Sequence, residues 1–447
     1  MKIDIPHFVE DVLNRLSDNG YETYLVGGCI RDILMGKPPK DWDITTSALP
    51  HEILEVFIDR KVVNTGAKYG TVTVILKEGK VEVTTFRSEG AYSDGRHPDW
   101  VYFEKTIEAD LSRRDFTINS IAFNNAKGLV DLFGGIEDIN KGLIRTVGNS
   151  SDRFIEDGLR MIRAVRFAAN LNFNIHDETL AAMQQLAEKI KTISAERVRD
   201  EFFQVIAGAN PTYGMNLLLE AGLTPFVLPE ILPIVGFEQN NPYHDKDVFK
   251  HTLCVLEQTP NVLHIRLAAL FHDIGKPYSY TLDDEGIGHF YGHNAKGVEI
   301  AIDALKRLRC PNKLIKQVTL LVDYHMKYYK KNQKTELKRL IGEIGRENIS
   351  DLLILQKADA MCKKKLRLIA NAVEMETAVE EIFHQKEPIF IEELAISGDD
   401  LKQLGLEQGV IIGKVLDELL NIVLEKPELN EKDTLMEIAH HIWLKLI

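Results

Sequence analysis

The chain has 447 residues, 45% of them hydrophobic and 27% charged, with a formal net charge of −13. This length exceeds the roughly 250 to 300 residues at which a single core stops growing, so about two to four domains are expected. The composition excludes a fibre or a disordered tail. Four scattered cysteines, Cys29, Cys254, Cys310 and Cys362, form no CxxC pair, which disfavours a zinc ribbon and reads as buried or neutral thiols in a reducing compartment. The first eleven residues lack a basic start, and no apolar run approaches the roughly 20 residues that span a bilayer, so neither a signal peptide nor a membrane span is expected and the location is read as cytoplasmic.

The predicted elements begin with a helix over residues 8–16, ended by Gly20, and a buried strand, Tyr24-Leu25-Val26, that runs into Gly27-Gly28. A helix over 31–35, an acidic strand at 41–44, a helix over 50–57 and alternating strands at 71–76 and 81–86 follow. Strand-like pieces at 120–123 and 129–132 precede the Gly134-Gly135 turn and complete a small mixed α/β domain. From Ser151 the periodicity is helical, with helices predicted at 152–169, 177–190, 195–207 and 213–221. The stretch 236–241 before Pro242 reads as a domain joint, a second helical unit spans 247–329, and a helical tail begins near Glu336.

The first motif is Gly27-Gly28-Cys29-Ile30-Arg31-Asp32, a strand entering a glycine turn that opens a helix. Such a turn lets the backbone approach phosphate oxygens, and Arg31 adds a guanidinium. Asp41 and Asp43, two apart on the acidic strand, are expected on one face, where two carboxylates repel unless a cation such as Mg²⁺ lies between them. Glu82, among β-branched residues on a neighbouring strand, is the candidate third carboxylate; the alternative is that it faces water. Arg113-Arg114-Asp115-Phe116-Thr117-Ile118-Asn119 sets two guanidiniums beside an acid, suited to gripping phosphates or to a structural ion pair.

Glu156-Asp157-Gly158-Leu159-Arg160 begins a helix that carries Arg163 and Arg166 onward. Asp157 and Arg160, three apart, are expected on one face, either as a surface salt bridge or as a base-reading pair. In the second case the carboxylate accepts from an exocyclic amino group and the guanidinium donates to the ring nitrogen, which fits cytosine and adenine. The acidic net charge does not exclude RNA binding, because only the local field matters; the basic stretches 327–331 and 363–367 are solvated faces or parts of an RNA track.

With Asp131 to Gly135 and Glu196-Arg197, these motifs resemble, in order, those of the class II tRNA nucleotidyltransferases, the family that includes bacterial poly(A) polymerases. The resemblance covers about the first half of the chain. It implies a polymerase-beta-like nucleotidyltransferase head with a mixed sheet (1–150), an all-α, base-reading neck (151–240), an HD-type helical body (241–330) and a helical, tRNA-binding tail (331–447). It implies template-independent addition of CCA to the tRNA 3′ end from CTP and ATP with Mg²⁺, releasing pyrophosphate. The alternatives are addition of the terminal A alone, poly(A) tailing, or an HD phosphohydrolase acting on RNA ends. Residues 87–96 read as a mobile loop of full family length, which disfavours CC-only addition. By resemblance, Asp41 and Asp43 bind the catalytic metals, Gly28, Arg31 and Arg114 hold the nucleotide, and Asp157 and Arg160 read the base with Arg163 and Arg166 close by. The implied partners are CTP, ATP and the acceptor and T-arm region of tRNA.

Further on, His272-Asp273-Ile274-Gly275-Lys276 ends an apolar helix, with His251 before it and His289, His293, Asp323 and His325 beyond. This resembles the HD phosphohydrolase fold. The expected ligands of a second divalent metal are His251, His272, Asp273, His293 and Asp323, with His325 competing for the closing position.

Overall fold

In a computed structural model, the structure describes residues 3–90, 100–241, 246–330, 332–363, 366–407 and 409–446. Two compact units emerge, Met1–Leu232 with Arg307–Cys310, and Pro233–Lys306 with Pro311–Ile447.

The first unit is built on β1 (Thr23–Val26), whose four residues are all buried. Around it lie α1 (His7–Asp18), α2 (Gly28–Leu34), β2 (Asp43–Thr46), α3 (Pro50–Val56), β3 (Lys61–Val63), β4 (Thr71–Ile75) and β5 (Lys80–Thr85). After β6 (Arg87–Glu89), β7 (Val101–Phe103) and α4 (Ile107–Ser112) come β8 (Ile121–Asn124) and β9 (Gly128–Asp131). Seven strands join in the order β3-β4-β5-β2-β1-β8-β9, mixed because β2 and β5 run parallel while the other pairs are antiparallel. On β4 and β5 the buried positions alternate, so Val72, Val74, Val81 and Val83 go inward while Glu82 stays on the other side. Tyr24, Val26 and Ala122 meet Phe86, Ile107 and Leu111 in one apolar cluster that seats α4 against the sheet.

After β9 in the chain, α5 (Gly135–Lys141), α6 (Ser150–Glu156), α7 (Leu159–Leu171), α8 (Asp177–Leu186), α9 (Ala195–Ile206), α10 (Pro211–Glu220) and α11 (Thr224–Val227) complete this unit. Three expectations change here. The acidic strand begins at Asp43, leaving Asp41 in the bend before it. The helix expected over 152–169 is two helices, because Asp157 is extended (φ −146°, ψ 105°) and accepts the Leu159 N–H on its own side chain. Of the loop expected at 87–96, residues 87–89 form β6, paired with β7, and 91–96 lie outside the described residues.

The second unit is helical: α12 (Val248–Gln258), α13 (Leu263–Phe271), α14 (His293–Arg307), α15 (Asn312–Tyr324), α16 (Lys334–Ile344), α17 (Arg346–Met361), α18 (Leu366–Gln385), α19 (Gly398–Gln403), α20 (Val410–Glu425) and α21 (Lys432–Leu446). Ile412, Val415, Leu419 and Val423 form one stripe of α20 and pack with Leu401, Leu435 and Ala439 into a small core of their own. Cys254 on α12 is disulfide-bonded to Cys362 at the end of α17, with Cα atoms 5.9 Å apart. The expectation of four thiols is thus corrected, because 108 residues of separation conceal two helices that pack side by side. Cys29 and Cys310 are free and buried, and burial pushes both thiols up to about 11. No helix among the described residues is long and apolar enough to cross a membrane.

Candidate active site

Parallel pairing of β2 with β5 puts Asp43 directly beside Glu82. Burial first, and then the facing Glu82, push the Asp43 carboxyl up to about 6, with Arg114 pulling against them and Asp41 adding to the rise. Three acids thus share one field, and the fit to a cation is electrostatic: a positive charge there offsets the repulsion that raises the Asp43 carboxyl. The glycine turn closes the other side. Gly27 has φ +80°, and a Cβ there would stand 3.2 Å from Arg114 Nη1 and 3.9 Å from Asp43 Oδ2. Arg114 and the acid therefore approach the backbone at the mouth of α2 because that position carries no side chain.

Behind Arg114 stands Asp110 of α4, fully buried. Its Oδ2 accepts from Arg114 Nη2 at 2.9 Å and from Thr45 Oγ1 at 3.2 Å, and its Oδ1 accepts from Arg113 Nε and Nη2 at 2.9 and 2.7 Å. Burial opposes its ionisation, yet Arg114 and Arg113 outweigh burial and hold the carboxyl at about 2. Sequence reading missed Asp110; its spacing of three and four residues from the two arginines on a helix was the available signal. Arg31 donates to Asp32 Oδ1 at 2.9 and 2.7 Å and to Asn119 Oδ1 at 2.8 Å, so it is held in place by the second arginine motif.

Asp115 Oδ2 accepts from Arg163 Nε and Nη2 at 2.9 and 2.6 Å, and its Oδ1 from the Phe116 N–H. Burial resists this charge, but Arg163 outweighs it and keeps the carboxyl at about 2. Arg166 pairs with Glu201 at 2.7 Å, and the guanidiniums of Arg31, Arg163 and Arg166 all lie over the Phe167 ring, at 5.4, 5.5 and 4.2 Å from its centre. Phe167 ties the two arginine groups together, a role its place in the sequence does not advertise.

The side chains of Asp157 and Arg160 do not bond to one another, although the Arg160 N–H donates to the Asp157 carbonyl at 3.1 Å. Asp157 Oδ2 accepts from Arg197 Nη2 at 2.8 Å, while Arg160 Nη1 donates to Glu156 Oε2 at 2.6 Å. The break at Asp157 is the reason, since spacing by three makes neighbours only within a continuous helix. Arg160 borders a cavity of about 280 Å³ together with Arg113, Arg153, Glu156, Ser88 and Gly90. Asp131 turns its carboxylate to the Gly135 and Ile136 N–H groups at 2.8 and 2.9 Å, capping α5.

In the second unit, His251, His272, Asp273, His293, His325 and Asp359 are buried together. Groups that could hold a metal ion are His251-His272-Asp273 and Asp273-His293-His325. Asp323 is not among them; its Oδ1 accepts from Asn294 Nδ2 at 3.0 Å. His289 bonds Asp283 at 2.7 Å, apart from these groups. The acid that closes the cluster is Asp359 on α17, 3.0 Å from His251 Nε2, which sequence reading missed because no motif surrounds it. Lys327 pairs with Glu343 at 3.3 Å and Lys363 with Asp359 at 2.5 Å, so these members of the basic stretches are engaged within the unit, while Lys331, Lys364 and Lys365 lie outside the described residues.

Three family models match the chain: the poly A polymerase head domain at residues 23–145, the probable RNA and SrmB-binding site of polymerase A at 172–234, and the HD domain at 244–363. The CCA-adding enzyme of Enterococcus faecalis is 43% identical over 219 residues, 49% of this chain and 52% of that protein. That of Levilactobacillus brevis is 46% identical over 212 residues, 47% and 53% of the two chains. The chain spans about half the length of the curated relatives it matches. Among solved structures, the Bacillus stearothermophilus CCA-adding enzyme in complex with CTP superposes with a TM-score of 0.75 over 98% of both chains at 27% identity. The Thermotoga maritima CCA-adding enzyme complexed with tRNA, 18% identical with a TM-score of 0.62 over 98% of this chain and 96% of that one, shares the fold. Head, RNA-binding and HD matches follow one another along the chain in the order the motifs predicted, and over these stretches the chain is similar to the tRNA nucleotidyltransferases and poly(A) polymerases and to HD domains.

Proposed function

We propose that the protein adds CCA to the 3′ end of tRNA from CTP and ATP, and the observation that carries the reading is the acid group of Asp43, Glu82 and Asp41 facing Arg114 across Gly27. Asp41 and Asp43 would hold magnesium, with Glu82 completing the acid field. When bound, the metal acidifies the RNA 3′-hydroxyl and neutralises triphosphate charge. The 3′-oxygen forms a bond to the α-phosphorus, the bond to the bridging α–β oxygen breaks, pyrophosphate leaves and the hydroxyl proton passes to solvent. Gly28, Arg31 and Arg114 position the triphosphate, Arg114 being fixed by Asp110. Asp157 and Arg160 read the base, with Arg163 and Arg166 holding the helix that carries Arg160; the Asp157 carboxylate has lone pairs to spare beyond its two present donors. Relatives of known name, one of them crystallised with CTP, support CCA addition over the alternatives. We place the protein in the cytosol on the same ground, as these substrates are intracellular.

The test is Asp43→Ala and Asp41→Ala, assayed for nucleotide transfer and tRNA binding on one preparation. Transfer is expected to fall by more than about a hundredfold, as a first-rank metal ligand is worth at least as much as its outer partners, while binding persists. Transfer within about threefold of wild type would remove the assignment. A second reading, a metal-dependent phosphohydrolase in the HD domain, is favoured by the buried cluster around Asp273.

A further inference from the structure

Strands β6 and β7 form a ribbon apart from the seven-stranded sheet, and its two faces differ. On one face Arg87 pairs with Phe103, and a Cβ on Gly70 would stand 2.9 Å from the Phe103 ring and 3.6 Å from Arg87 Cδ, so this side packs against the turn before β4. On the other face Ser88 pairs with Tyr102, the Gly90 N–H donates to the Trp100 carbonyl, and Ser88 Oγ donates to Glu104 Oε1 at 2.7 Å. Paired residues of an antiparallel ribbon share a face, which groups Ser88, Gly90, Trp100, Tyr102 and Glu104. A Cβ on Gly90 would fall 2.4 Å from the Trp100 ring, so the indole lies over that glycine. Trp100 and Tyr102 meet edge to face with ring centres 5.8 Å apart and remain 53% and 69% exposed. Two touching aromatic rings left in water are an apolar surface that folding does not explain.

This face borders the cavity of about 280 Å³, which Ser88, Gly90 and Glu104 line from the ribbon. Arg113, Arg153, Glu156 and Arg160 line it from the helical side. Glu156 holds two of the guanidiniums, Arg153 at 2.8 Å and Arg160 at 2.6 Å. Arg153 Nε is nonetheless buried with no hydrogen-bond partner, whereas buried donors are nearly always satisfied. Guanidiniums beside exposed aromatic rings suit one nucleotide of single-stranded RNA: the phosphate accepts from arginine while the base stacks on a ring. The volume lies at the small end of ligand pockets, enough for a single nucleotide and too little for a duplex.

We propose that this cavity holds the 3′-terminal nucleotide of the RNA being extended, its base on Tyr102 and Trp100 and its phosphate on Arg153 and Arg113. The assignment rests on the reading of the protein as a CCA-adding enzyme. The incoming nucleotide is gripped by Gly28, Arg31, Arg114 and Asp157, which are not among the residues lining the cavity; Arg160 borders both. The two sites adjoin, because Arg113 and Arg114 are consecutive and hold opposite oxygens of Asp110. Stacking also suits the task. The end of the growing strand is first the discriminator base, then C, then C again, so a site that read base edges would fail at one step or another, whereas an aromatic platform accepts any base.

The experiment measures Kd of the full chain, without nucleotide, for two forms of one tRNA: one ending in CC and one cut back to the last base pair of its acceptor stem. Tyr102→Ala is expected to weaken binding of the CC form by about fivefold to a hundredfold, the worth of one stacked base, and to leave the cut-back form within about twofold. Tyr102→Phe keeps the ring and is expected to bind both forms as wild type does. Arg153→Gln is expected to weaken the CC form alone and to lower its salt slope by about one, and it carries the test if Tyr102→Ala fails to fold. Wild-type affinity for the CC form in both Tyr102→Ala and Arg153→Gln, or equal weakening of both tRNA forms, would overturn the site. So would a raised KM for CTP with unchanged tRNA affinity, which would give the cavity to the incoming nucleotide. In each of these cases wild type still extends tRNA and the CCA reading stands; a wild-type chain that extends no tRNA removes that reading, and the assignment of the cavity to the growing end falls with it.

Discussion

At the scale of single residues, the proposed base reading rests on Asp157 and on its partner Arg197. Arg197 holds one Asp157 oxygen while the Leu159 N–H holds the other, so the carboxylate is aimed before a nucleotide arrives. Asp157→Ala is expected to relax discrimination against UTP and GTP by about tenfold to a hundredfold, the worth of one charged hydrogen bond of roughly 1 to 3 kcal/mol. Arg197→Ala should relax it in the same direction by a smaller factor, because the acceptor remains but is no longer fixed. The ratios of kcat/KM for four nucleotides on one tRNA primer measure both, and unchanged ratios in the two variants would leave Asp157 and Arg197 as a structural ion pair. At this scale the sequence was legible where the chain is regular. Asp43 and Glu82 both sit on strands, as predicted, although β2 begins two residues later than expected, whereas the Asp157–Arg160 side-chain contact failed at a helix break and the acid beside His251 is Asp359 on α17 rather than Asp323.

At the level of elements, the link between Asp115, just before the β8 segment, and Arg163 on α7 sets an acid limit on stability. The Asp115 carboxyl is held at about 2, below its ordinary 3.8, so its contribution is complete above about pH 4 and is lost as the pH falls through about 2. The shift corresponds to about 2 kcal/mol. The melting temperature of wild type should therefore fall more steeply between those limits than that of Asp115→Asn, and equal slopes would contradict the pairing. In the second unit, a Cβ on Gly275 would stand 2.1 Å from the His293 carbonyl oxygen and 2.8 Å from the Gly297 N. Gly275→Ala is expected to cost about 1 to 3 kcal/mol by overpacking and to separate the start of α14 from the end of α13. Lower metal retention with nucleotide transfer within about twofold of wild type is the expected readout; unaltered melting and retention would show that α14 is not seated there. Strands β1, β4, β5 and β8 were legible from apolar runs and alternation; β6 was not, because Arg87-Ser88-Glu89 has neither and owes its pairing to β7.

For the whole molecule, the disulfide is the feature that composition concealed. It closes a loop of 108 residues across the second unit, and chain entropy assigns such a crosslink about 4 to 5 kcal/mol. Thiol titration of the denatured chain should find two groups, Cys29 and Cys310, without reductant and four with it. Four in an unreduced, freshly purified sample would show that the bond is absent. The order of domains could be read from motif order, because each motif carries its own chemistry, but the helical second half offered only periodicity after the HD residues, and its packing came from the structure. The account's central claim is tested most directly by extending a tRNA that ends at its discriminator base, with CTP, ATP, both, and neither. Two C residues with CTP alone and exactly one CCA with both are the predicted products; no extension, a single A, or a growing poly(A) tail would contradict it.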